Sequence, residues 1–115
     1  MEQAQVLQAL SALANATRLE VVRLLVPRAA EGLAAGEIAR RLDISASGLS
    51  FHLSALEQAG LVSSQKISRQ VIYRADHAAL GEVIGYLLND CCAAHPQVQD
   101  CCHSDGRAPA GSAEG

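Results

Sequence analysis

Residues 44–74 read ISASGLSFHLSALEQAGLVSSQKISRQVIYR, and the texture of this stretch changes midway. From about Ser47 to Ala59, Leu49, Leu53 and Leu56 recur at i, i+4 and i+7, which places them on one face of a helix. Gly60 then occupies the usual position just past a helix C-terminus. Leu61–Lys66 and Val71–Arg74 are rich in β-branched and aromatic residues. Ile67-Ser68-Arg69-Gln70 separates them, which predicts a β-hairpin.

Upstream, Val6, Leu7, Leu10 and Leu13 in QAQVLQALSAL (3–13) have helical spacing. Asn15 is a candidate N-cap for a second helix, ATRLEVVRLLV, with Leu19, Val22 and Val26 on one face. GLAAGEIARRLD predicts a third short helix ending near Asp43, and Ile44-Ser45 connects it tightly to the fourth. Downstream, Asp76 can cap a fifth helix running to about Cys92. After Pro96 the chain turns polar and rich in Gly, Ala and Ser, a composition too poor in apolar surface to offset its ordering entropy beyond about His103. The expected architecture is mainly α with a small β-hairpin, in the order α-α-α-α-β-β-α. That is a winged helix-turn-helix, which presents one helix to a DNA groove. Residues 1–92 form the expected DNA-binding and dimerisation domain, and 93–115 a largely flexible, cysteine-bearing tail.

On the fourth helix the face opposite the leucines carries Ser47, Phe51 and Ser54, flanked by Ser50 and His52. Small hydroxyls can donate to phosphate oxygens or base edges without filling the groove, and an imidazole can donate to a phosphate or a base acceptor. Phe51, the single Phe of the chain, can lie against a thymine methyl. Gly48 costs about 1 kcal/mol relative to Ala in a helix, a loss consistent with close approach of a partner. Lys66, Arg69 and Arg74 suit phosphate contacts. A solvated serine-rich face and a solvated charged hairpin are the plain alternatives.

The whole chain, at 115 residues, has room for one small core but hardly for an enzyme built around a deep two-domain cleft. Its net charge of −3 argues against a generic nucleic-acid binder until it is resolved by position. Residues 1–89 are balanced, and the excess acid lies in Asp90, Asp100, Asp105 and Glu114, opposed by Arg107 alone. Gln58–Ala75 holds three cations and no acid. No nucleophile–base constellation or phosphate loop is present, so an enzyme is not expected. No organic cofactor is expected either. With neither a secretory signal nor an apolar run of transmembrane length, a cytoplasmic, reducing location and no membrane partner are expected. All four cysteines lie in two vicinal pairs, Cys91-Cys92 and Cys101-Cys102, and clustered thiols there point to soft-metal or redox chemistry. In the fifth helix Leu80, Ile84, Leu87 and Cys91 share a stripe, and Gly81 and Gly85 allow close helix approach. With Leu7 and Leu10 of the first helix they suggest a homodimer interface, although intramolecular packing explains the leucines equally well.

The strings ALANATRLEVVRLL and GEIARRLDISASGLSFHLSALEQAGLVSSQKISRQVIYR resemble the ArsR/SmtB family of metal- and metalloid-responsive repressors, over roughly residues 6–92. The most specific part is S-x-L-S-x-H-L…L-x-x-A-G-L-V, here Ser47 to Val62. The resemblance implies a winged-helix homodimer that sits on double-stranded operator DNA and leaves it when an inducer binds. It puts Ser47, Ser50, Phe51 and His52 on the recognition helix and Arg69 near the wing tip. Phe51 stands where many members carry a basic residue or His, and Ser68 where many carry Gly. The cysteine pair some members place on the third helix is absent from Ala35–Leu42. The Asp/His zinc site of others is absent too: Asp76 is present, but Ala78 stands where the next His would fall, and no His occurs between Ala78 and Asn89. The C-terminal pairs resemble the version in which vicinal thiols bind trivalent arsenic, which implies a repressor of an arsenic-resistance operon.

Trivalent arsenic, or antimony, is soft and favours three thiolates. Cys91 and Cys92 supply two, and Cys101 or Cys102 the third, within one subunit or shared across the dimer. A tetrahedral zinc set drawn from the cysteines with His95 and His103 is an alternative, though adjacent cysteines bind Zn less comfortably. A thiol-oxidation switch and a thiol-based metal-binding protein that does not bind DNA also remain open.

Overall fold

The computed structural model describes residues 1–92, with backbone alone for 89–92. Cys101, Cys102, His95, His103 and the rest of 93–115 lie outside the described residues, as do the side chains of Cys91 and Cys92. The chain divides into two compact units, Met1–Leu80 and the part from Gly81 onward.

In the first unit, α1 (Gln3–Leu13) opens with the Glu2 amide donating to Gln5 Oε1 at 2.9 Å. Its buried residues are Val6, Ala9 and Ala12; Leu7 is 57% exposed, and Leu10 and Leu13 are half-buried. The expected leucine stripe is therefore not the inward face. Of the expected positions Val6 faces inward, and Ala9 and Ala12 stand beside it in place of the leucines, their small size suiting close helix contact. α2 (Ala16–Leu25) is capped as expected, with the Arg18 amide donating to Asn15 Oδ1 at 3.1 Å. Of its expected face Val22 is buried, with Val21 and Leu25 alongside, while Leu19 and Val26 face solvent. Val26–Glu31 then continues as 3-10 turns with Pro27 near the start and a kink at Ala29 (φ 52), in place of a last α-turn.

A strand the sequence reading missed follows: β1 (Leu33–Ala34) leads directly into α3 (Ala35–Leu42), which ends with Asp43 in the left-handed region. α4 spans Ala46–Gln58, with Ser45 Oγ accepting the Gly48 amide at 3.1 Å and Gly60 at φ +79 beyond its end. β2 (Val62–Ile67) and β3 (Gln70–Ala75) form the expected hairpin, turned by Ser68-Arg69. β1 pairs with the other side of β3, Leu33 opposite Tyr73, so the sheet has three strands in the order β1-β3-β2. Gly32 makes that pairing possible. At φ +63, a Cβ there would lie 2.4 Å from the Tyr73 carbonyl oxygen. α5 (His77–Cys92) is capped by Asp76, whose carboxylate accepts the Ala79 amide at 3.0 Å.

The core of the first unit collects Leu25, Ile38, Leu49, Leu53, Leu56 and Leu61, all nearly inaccessible. α4 packs against α1, α2, α3 and β2 through its leucines. Each such side chain contributes about 1.5–3 kcal/mol by leaving water, which fixes which face of α4 looks outward. The described arrangement is a mainly helical winged helix-turn-helix in the expected order. In the second unit, Val83 is buried while Ile84, Tyr86 and Leu87 are exposed. No described helix is long and apolar enough to cross a membrane.

Candidate nucleic-acid interface

Burying Leu49, Leu53 and Leu56 turns Ser47, Ser50, Phe51 and Ser54 out to solvent, where the sequence pattern put them. Phe51 is 68% exposed, the most exposed large apolar side chain described. The Ser47 hydroxyl lies 3.5 Å from that of Ser45, the capping residue, so the first turn of α4 clusters hydroxyls at a helix N-terminus. Partial positive charge and free amides favour anionic oxygen there. Gly48 has a local reason as well. A Cβ at this position would come within 3.1 Å of Ser45 Oγ, crowding the cap.

His52 departs from the simple picture of an outward donor. It is half-buried, its Nδ1 lies 3.2 Å from Arg18 Nη1, and its ring meets Phe51 edge-on at 5.5 Å. Arg18 Nε also donates to the Ala12 carbonyl at 2.7 Å. Sequence reasoning passed over Arg18. The available signal was a helix cation with no acid three or four residues away on either side.

The wing cations also separate. Lys66 and Arg69 are exposed, and no described hydrogen bond or ion pair engages either. Arg74, grouped with them in the sequence, is tied down: its Nε donates to the Ala30 carbonyl and its Nη1 to Gln65 Oε1 at 2.9 Å. Arg74 braces the wing against the 3-10 segment. Arg69 shares an open cleft of about 490 Å³ with Arg40, Glu37 and Gly36 of α3. Arg41 and Arg40 both bond to Glu37 and hold its carboxyl below the usual carboxylate range. Burial, with the nearby Glu57 carboxylate, pushes the Tyr73 phenol up, so it stays protonated as β3 crosses the wing.

Of the expected dimer residues, Leu7 is exposed and Leu10 and Leu80 half-buried in the first unit. In the second, Gly81, Ile84 and Leu87 are exposed and Gly85 half-buried. No group of three or more His, Cys, Asp or Glu suited to a metal ion occurs among the described residues.

Residues 13–65 match the helix-turn-helix domain family. The chain is 34% identical over 86 residues to the transcriptional activator HlyU of Vibrio cholerae, covering 75% of this chain and 77% of that protein. The structure of reduced HlyU superposes with a TM-score of 0.60 at 32% identity, over 76% of this chain and 87% of that one. An ArsR-like transcriptional regulator from Rhodococcus sp. RHA1 matches at 28% identity and TM-score 0.67, over 91% of this chain and 95% of that one. A protein described as a possible transcriptional regulator for arsenical resistance matches at 30% and 0.61, over 70% and 79%. The exposed α4 face, the wing and these relatives agree: the chain belongs to the ArsR/SmtB family of winged helix-turn-helix regulators and is a DNA-binding transcriptional regulator.

Proposed function

We propose that this regulator represses an arsenic-resistance operon and is released from its operator when trivalent arsenic, or antimony, binds the C-terminal thiolates. The observation that carries the reading is the run of α5 to Cys91-Cys92, which puts the two adjacent cysteines at the end of the helix. Cys91, Cys92 and either Cys101 or Cys102 complete a three-sulfur set, the preference of a soft trivalent ion. The likeness to a possible regulator for arsenical resistance supports this.

The working unit is a homodimer through the exposed Leu7, Ile84 and Leu87 with Leu10, Leu80, Gly81 and Gly85, and it places two α4 helices one DNA turn, about 34 Å, apart. Ser47, Ser50, Phe51, His52 and Ser54 face the groove, and Lys66 and Arg69 take phosphates. Arsenic at the end of α5 alters the helix pair that joins the subunits and misaligns both readers. A coupling of about 1–3 kcal/mol suffices for a 5–150-fold loss of affinity.

Thiol oxidation is the second reading, favoured by the likeness to HlyU, whose reduced form has its own structure. Gel shift on the promoter of its own operon, titrated with arsenite, antimonite, methylarsenite, zinc, cadmium and peroxide, separates the two. Release by arsenite at the lowest concentration is expected. Release by peroxide, zinc or cadmium with none by arsenite overturns the arsenic assignment.

A further inference from the structure

His52 occupies the flank of α4 between the buried leucines and the exposed Phe51, and its ring is held from outside its own helix. Arg18 Nη1 stands 3.2 Å from Nδ1. The guanidinium is itself fixed, because Nε donates to the Ala12 carbonyl at 2.7 Å and the Arg18 backbone amide caps onto Asn15. Ala12 lies in the last turn of α1, where carbonyls lack intrahelical partners, so the Arg18 side chain closes α1 and reaches α4 while its backbone amide takes the cap of α2.

A guanidinium has N–H donors and no acceptor. Nδ1 of a neutral His52 must therefore accept, and the ring proton must sit on Nε2. No described hydrogen bond engages Nε2. We propose that Arg18 is a positioning residue for DNA reading: it locks His52 in the Nε2–H form, so that α4 offers a hydrogen-bond donor at this position and never an acceptor. Such a group accepts pairing with a phosphate oxygen, guanine O6 or N7, adenine N7 or thymine O4. It rejects the amino groups of cytosine and adenine, which need an acceptor. Phe51 meets the imidazole edge-on, with ring centroids 5.5 Å apart. The inference rests on α4 being the helix that enters the groove.

The test joins spectroscopy to binding. Nitrogen-15 spectra of the free full-length protein at alkaline pH report the His52 tautomer directly. The wild type is expected to show Nε2–H alone, and Arg18→Met a mixture. A wild-type spectrum dominated by Nδ1–H overturns the proposal without any variant having to fold. Anisotropy titrations on operator DNA then compare Arg18→Met, His52→Ala and the double variant. His52→Ala is expected to cost about 10-fold in affinity, and Arg18→Met about 2-fold, because an even tautomer mixture halves the competent fraction. The double change is expected to cost no more than His52→Ala, because both act on one interaction. Arg18→Lys, which cannot serve Ala12 and His52 together, is expected to recover stability more than affinity. Losses that multiply in the double variant show a purely structural role for Arg18 and overturn the proposal. So does a salt slope that falls on Arg18→Met, which would make Arg18 a phosphate contact. An Arg18-dependent tautomer with DNA affinity unchanged by His52→Ala also overturns it, but through failure of the α4 reading rather than of the lock.

Discussion

Three cations of the wing look alike in the sequence, and the structure divides them into two that are free and one that is a brace. Replacing Lys66 and Arg69 with Gln removes two exposed charges that no described group neutralises. In the proposed dimer on DNA, that is four phosphate contacts. Each contact adds about 0.9 to the slope of log affinity against log salt, so the slope should fall by about 3.6. Between 50 and 200 mM salt, wild-type affinity should then drop about 150-fold more than that of the double variant. Arg74→Gln removes the same charge per position but breaks the bonds to Ala30 and Gln65. Its slope should stay near wild type, while stability falls by about 1 kcal/mol for the lost bonding. Fluorescence anisotropy of a labelled operator duplex across a salt series measures the slopes, and thermal melts measure stability. An unchanged slope in the Lys66/Arg69 variant, or an equal fall for Arg74→Gln with an unchanged melt, refutes the division.

Other positions test separate parts of the account. Gly32→Ala forces a Cβ to 2.4 Å from the Tyr73 carbonyl at positive φ, and should destabilise by about 3 kcal/mol or more on chemical denaturation. Ala29 has φ 52 and ψ −133, so Ala29→Gly should instead stabilise by about 1 kcal/mol. Phe51→Ala, at an exposed position, should leave the melting temperature unchanged and weaken operator binding. Thymine-to-uracil replacement at the contacted base should mimic that loss and add nothing to it. Glu37, whose carboxyl is held low by Arg41 and Arg40, contributes stability that is present above the ordinary carboxylate range and lost as pH falls through its lowered folded value. Glu37→Gln should flatten that part of a stability–pH curve, and an unchanged curve counts against the ion pairs.

What the sequence made legible is what local chemistry decides. Three leucines at i, i+4 and i+7 oriented α4, Asn15 and Asp76 capped the helices expected of them, and β-branched runs made the hairpin. The inward face of α1 was only partly legible, through Val6, because large apolar residues outweigh alanine in a pattern whereas close packing admits Ala9 and Ala12. In α2 Val22 was legible, but Val21 and Leu25 flank it inward instead of Leu19 and Val26. β1 is two residues long and exists only through its pairing with Tyr73 and Ile72, about forty positions away. The same distance hid the roles of Arg18 and Arg74. Their partners, His52 and the Ala30 carbonyl, lie 34 and 44 residues away, where no spacing rule reaches. Of the proposed thiol site, the described residues supply only the backbone of Cys91 and Cys92.

Arsenite titrated into the protein–operator complex bears most directly on the central claim, with anisotropy followed for the wild type and for Cys91→Ser/Cys92→Ser. The wild type is expected to be released, and the double variant to bind DNA equally well yet stay bound at the same arsenite concentration. Release of both proteins alike, or of neither, contradicts it.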